Sequence, residues 1–230
     1  MNPESLPYTI AVWLIPLVVA IVFHEVAHGW VARALGDQTA ARLGRLTLNP
    51  LRHVDPVGTV ILPLSLAVAG APVFGWAKPV PVVAKNMRHP RRDMVLVALA
   101  GPGTNFVLAL LTAFALGGLY ATSGSEMPRA GIGGFVSDSL FSFLLVNIFL
   151  GVFNLIPLPP FDGGHVVEGA LPRTMVPAWQ RLGRFALPIM LILLVVLPMI
   201  SPSVNVVGRI ISPIVQAVLA FLLGAAGLRL

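Results

Sequence analysis

The chain has no cysteine among its 230 residues, which excludes disulfides, thiolate metal sites and a cysteine nucleophile. Charge is scarce as well. Only 10% of the residues are charged and 57% are hydrophobic, where an ordinary soluble domain carries roughly a quarter charged. Asp, Glu, Lys and Arg are absent from 5–23, 56–77, 94–125, 139–161, 185–208 and 210–228, and each run is about long enough to cross a bilayer. Basic residues are also missing ahead of the first run, where MNPESLPYTI holds Glu4 alone. The positive n-region of a signal peptide is therefore lacking, and the first segment is expected to remain as a membrane helix.

What is present points to an all-α polytopic membrane protein of five or six hydrophobic helical segments, forming one domain over 1–230. The expected core is 8–170, with a C-terminal helical pair over about 178–228. The formal charge of +6 reflects Lys and Arg retained in cytoplasmic loops, and nucleic-acid binding is not expected. If 33–55, 78–93, 163–184 and the C-terminus face the cytoplasm, every basic residue except Arg129 and Arg209 lies inside.

Both flanks of 56–77 are basic, so a simple crossing would expose one of them. We expect this segment to dip in and return. Pro56, Gly58, Pro63, Gly70, Pro72 and Gly75 interrupt regular helix, and broken backbone at membrane depth must be buried or line a cavity. Six ordinary crossings satisfy hydropathy equally well. The stretches 44–50 and 79–85 read as short interfacial β-strands; their edges could hold an extended peptide by main-chain pairing, or they could simply cover the bundle.

Two acidic residues stand in or beside apolar runs with polar partners: Glu25 in VFHEVAHGW and Asp162 in FNLIPLPPFDGGH. Ionisable groups at that depth are expensive and mark function. His24 and His28 are four apart, so a helix projects both imidazoles from one face, where they can share a zinc ion. Glu25 adjoins them and can take a proton from water polarised by the metal and pass it to a leaving amine. His-Glu-x-x-His on a helix is the metalloprotease pattern. A third ligand must be His, Asp or Glu, and Asp162 is the best candidate. It follows Pro157, Pro159 and Pro160, which stop a helix, and precedes Gly163 and Gly164, which permit a tight turn. Both motifs fall at the cytoplasmic ends of their segments.

HEVAH followed by NLIPLPPFDGG resembles the site-2 protease family of intramembrane zinc metalloproteases in its compact bacterial form, without PDZ or CBS domains. The second family motif is matched at Asn154, Pro157, Pro159, Asp162 and Gly163, and Gly101, Pro102 and Asn105 resemble an element between the two. The resemblance implies one Zn2+ per chain held by His24, His28 and Asp162, with Glu25 as general base and acid. It also implies a membrane-protein substrate cleaved within or beside the bilayer, in a multi-pass protein of the cell membrane whose active site faces the cytoplasm. A divalent-metal transporter and a non-catalytic substrate-binding relative are the alternatives.

Asn154 could donate to a developing oxyanion or form a helix–helix hydrogen bond. Asn105, with Gly101 and Gly103, reads as a close-packing site. His165 reads as solvated, with an outer-shell or alternate-ligand role as the other option. His53 and His89 are expected to face solvent.

Overall fold

The computed structural model describes residues 5–70, 75–192, 196–200 and 207–228. Pro72, Arg229 and, within the expected segment 185–208, residues 193–195 and 201–206 therefore lie outside the described residues. Four helices among those described are long and apolar enough to span a membrane: α1 (Leu6–Ala34), α4 (Pro90–Thr122), α5 (Gly131–Asn154) and α10, whose regular part is Ser212–Ala225 and which with its opening turn spans Gly208–Ala225. Shorter helices lie between them: α2 (Thr39–Arg42), α3 (Leu62–Val68), α6 (Asp162–Ala170), α7 (Val176–Gly183), α8 (Ala186–Leu191) and α9 (Leu197–Ile200). Five or six hydrophobic helical segments, one of them re-entrant, were expected; four helices able to span are found among the described residues.

Each spanning helix begins and ends for local reasons. Pro7 and Pro90 sit in the first turns of α1 and α4, where the missing N–H costs nothing. The Asp93 carboxylate accepts from the His89 amide at 2.8 Å, capping α4, and Arg33 closes α1 beside its last carbonyls. Small side chains let α1, α4 and α5 approach one another. Ala20, Ala109 and Ala113 are fully buried, and the Phe106 ring lies over Gly151.

The two ends of the segment 56–77 come together. Lys78 N donates to His53 O at 2.8 Å and Trp76 N to Gly58 O at 3.1 Å, so the two ends are hydrogen-bonded together. Asp55 caps the incoming turn by accepting from Val57 N and Gly58 N, and Gly58 leaves room for the Trp76 indole, which a Cβ would strike. His53, expected in solvent, is buried, with Nε2 donating to Thr47 O; His89 is exposed as expected.

The expected strands at 44–50 and 79–85 do not form. Pro79 and Pro81 have no N–H to offer a ladder. The amides of Val80 and Val83 are spent on the carboxylates of Glu25 and Asp37, and the Arg45 guanidinium takes the carbonyls of Lys78 and Pro79. Side chains have replaced strand pairing, and the segment is an extended strap across α1. Gly29 makes room for it, since a Cβ there would overlap Leu46 and meet Val80 Cγ1 at 2.8 Å.

The direction of α10 also departs from expectation. Gly117, near the far end of α4, is in contact with Ala226 O at the end of α10, so α10 runs parallel to α4. At about 1.5 Å per residue its first turn then lies back near the Asn154 end of α5, against which that turn packs. Arg209 belongs to that end of the bundle, and Gly227 and Leu228 to the end holding the 123–130 loop.

Candidate metal centre

Three elements distant in sequence meet at the centre. The regular helix of α1 sets His24 and His28 on one face, edge to face, with ring centroids 4.7 Å apart. The turn 155–161 then reverses the chain and starts α6 on Asp162. Gly163 and Gly164 permit this by closeness rather than by unusual dihedrals. A Cβ on the first would overlap Leu155 O, and one on the second would lie 2.8 Å from Pro159 N. Opposite the imidazoles, α4 presents Gly101, where a Cβ would overlap His28 Nε2 and lie 2.6 Å from His24 Cε1.

His24, His28 and Asp162 each point one ligand atom into a cluster no more than 4.8 Å across. The two Nε2 atoms are 3.0 Å apart, and Asp162 Oδ2 lies 3.2 Å from the first and 3.4 Å from the second. The outward-facing nitrogens decide the tautomers. His28 Nδ1 is 2.7 Å from Val97 O, and His24 Nδ1 is 2.6 Å from Asn105 Oδ1. Both partners are acceptors, so each ring carries its proton on Nδ1 and turns an Nε2 lone pair inward. Asp162 Oδ2 is buried and receives no hydrogen bond.

Two lone pairs and a carboxylate oxygen at such distances repel unless a cation lies between them. Tetrahedral zinc, with ligands at about 2.0–2.1 Å, holds its donor atoms about 3.3–3.4 Å apart, which the observed separations approach. The residues therefore fit a metal ion.

A cavity of about 680 Å³ opens beside the cluster and is lined by Glu25, Asn154 and His165 as well as by the three ligand candidates. Glu25 is half-buried, and its Oε2 accepts from Val80 N at 2.8 Å. Asn154 donates Nδ2 to Leu150 O of its own helix at 2.9 Å, and no bond to another helix is observed for that group. His165 is exposed and lies 3.9 Å from Glu168. A second cavity of about 370 Å³ continues from the first past Phe161 and His165 to Trp179 and Gln180.

The structure gives Asn105 more than the packing role its neighbourhood suggests, because its side chain orients His24. Gly101 and Asn105 are four apart on α4, and that spacing was the available signal. Val97 O and Val80 N left no trace in the sequence, since main-chain groups carry no residue identity.

The model of peptidase family M50 matches this chain over residues 12–130 and 130–197. YwhC of Bacillus subtilis (strain 168) is 44% identical over 172 residues, which cover 74% of this chain and 72% of that protein. Rip2 of Mycolicibacterium smegmatis is 33% identical over 202 residues, 85% of this chain and 68% of Rip2, and Rip2 of Mycobacterium tuberculosis (H37Rv) is 33% identical over 201 residues with the same shares. All three bear names that class them as candidate zinc metalloproteases. No solved structure matches the chain.

Proposed function

The chain belongs to peptidase family M50 and is a metalloprotease; from that premise we propose that it cuts membrane proteins within or beside the bilayer, on the cytoplasmic side, with one Zn2+ held by His24, His28 and Asp162. The convergence of three proton-free acceptor atoms supports this reading. A zinc ion bound there would supply Lewis-acid polarisation of water and of the scissile carbonyl.

The chain's own residues do the rest. Glu25 borders the cavity next to His24, takes a proton from the attacking water and returns it to the departing amine, as general base and then general acid. Asn154 has a second Nδ2 proton beyond the one given to Leu150 O, and donates it to the oxygen that gains charge when the carbonyl is attacked. The mostly apolar cavity wall receives a substrate segment that has locally unwound, because only an extended peptide exposes its carbonyl. Water enters from the polar end of the cavity, since lipid supplies none.

The test is Glu25→Gln purified beside the wild type. The variant is expected to keep its zinc and to lose cleavage of a membrane-spanning substrate; undiminished turnover would reject the role given to Glu25. Asp162→Asn is expected to lower zinc content. Zinc flux in proteoliposomes without any proteolysis would instead make the cluster an ion path.

A further inference from the structure

Behind the metal centre, a chain of buried amides runs across three helices. Asn147 on α5 and Asn105 on α4 are both fully buried. Asn147 Nδ2 donates to Phe143 O of its own helix at 2.8 Å, Asn105 Nδ2 donates to Asn147 Oδ1 at 2.8 Å, and Asn105 Oδ1 faces His24 Nδ1 at 2.6 Å. Among the described residues, the Asn105 amide has one further acceptor, Ala20 O, at 3.5 Å.

From this we propose that Asn147 is a positioning residue for the metal, setting the tautomer of His24 from two side chains away. A main-chain carbonyl can only accept. Phe143 O therefore fixes the Asn147 amide with its nitrogen toward α5 and its oxygen toward α4. That oxygen then selects the nitrogen of Asn105, which leaves Asn105 Oδ1 to receive the His24 Nδ1 proton. With the proton held there, the Nε2 lone pair is committed to the cluster. Without Asn147, Asn105 can rotate its nitrogen toward His24, where two donors would oppose each other, and the ring is driven to protonate Nε2 and leave the metal. Outer partners of a ligand histidine act on affinity in this way. Two buried asparagines in an apolar interior are otherwise costly, so their pairing also requires that both be satisfied at once.

The inference rests on the metal reading, so the experiment separates the two. Purified protein in detergent is titrated with zinc against a chromophoric chelator, and with Co2+ to record the ligand-field spectrum. If the wild type takes up neither metal, the metal reading itself fails. If it binds, Asn147→Leu is expected to weaken zinc by about tenfold, at the lower edge of the outer-shell range, and to shift the cobalt bands. Asn147→Asp, as the neutral acid favoured by full burial, gives its O–H to Phe143 O and still offers Asn105 an acceptor, and is expected to keep both properties close to wild type. In an Asn105→Ala background, Asn147→Leu should cause no further loss, because its path to His24 is already cut. Wild-type affinity in Asn147→Leu, equal damage from Leu and Asp, or an equal loss with and without Asn105 would each overturn the proposal. Asn147→Ala carries the same expectations should the leucine variant not fold.

Discussion

The main-chain amide of Val80 donates a 2.8 Å hydrogen bond to the carboxylate of Glu25. Val80 lies between two prolines on the strap across α1, and its side chain rests on Gly29, one turn beyond Glu25. The residue proposed to move a proton is thus aimed by a segment 55 residues away.

Val80→Pro deletes this donor while keeping an extended backbone. A hydrogen bond to a charged group contributes roughly 1.5–3 kcal/mol, so kcat is expected to fall about 10- to 100-fold with zinc content unchanged. Val80→Ala retains the N–H and is expected to remain near wild type. A proline variant with wild-type kcat would show that the strap only covers the site.

Gly101 leaves no room for a side chain against the imidazoles. Gly101→Ala must push His24 and His28 apart or displace α4, and overpacking of this sort costs about 1–3 kcal/mol. We expect loss of bound zinc, measured by elemental analysis, with the helical content of the protein maintained. A variant that kept full zinc occupancy would contradict the tight apposition of α1 and α4.

Asp37 ties the end of α1 to the strap, accepting from Thr39, from Val83 N at 2.7 Å and from Asn86 Nδ2 at 3.0 Å. Burial pushes its carboxyl up, but these donors outweigh burial and hold it below the ordinary value. The lowered folded pKa means that the stabilisation is complete above the unfolded pKa of about 3.9 and disappears as pH falls through the folded value. Asp37→Ala is expected to cost about 1–3 kcal/mol at neutral pH. In melting experiments the gap between variant and wild type should close on acidification below about pH 4; a gap independent of pH would exclude an ionised Asp37 as its source.

The topology has its own test. Because Lys78 is hydrogen-bonded to His53, reporters placed near Asp37 and near Lys85 are expected on the same side of the membrane. Because α10 runs parallel to α4, a label after Leu228 is expected on the side of Gly124. Opposite readouts for either pair would refute the corresponding assignment.

The convergence of the three candidate ligands was legible because it depends on local rules. Four-residue spacing places His24 and His28 on one helical face, and three prolines end α5 before Asp162. Charge on both flanks of 56–77 pointed to ends that meet, and they are hydrogen-bonded together. The interfacial strands misled because β-branched residues suggest a ladder, whereas Pro79 and Pro81 deny it half its donors and Asp37 and Glu25 claim the amides of Val80 and Val83.

By itself, the sequence determined that this is a membrane protein with a His-Glu-x-x-His helix and a carboxylate poised at a helix break, since hydropathy and helical periodicity are properties of contiguous residues. Tertiary structure alone decided which way each imidazole points, that Asn105 and Asn147 stand behind His24, that a main-chain amide aims Glu25, and that α10 runs with α4. Those outcomes depend on hydrogen bonds and contacts between residues as distant in sequence as Gly117 and Ala226. Only packing brings such partners together, and a main-chain donor or acceptor looks the same at every position until it does.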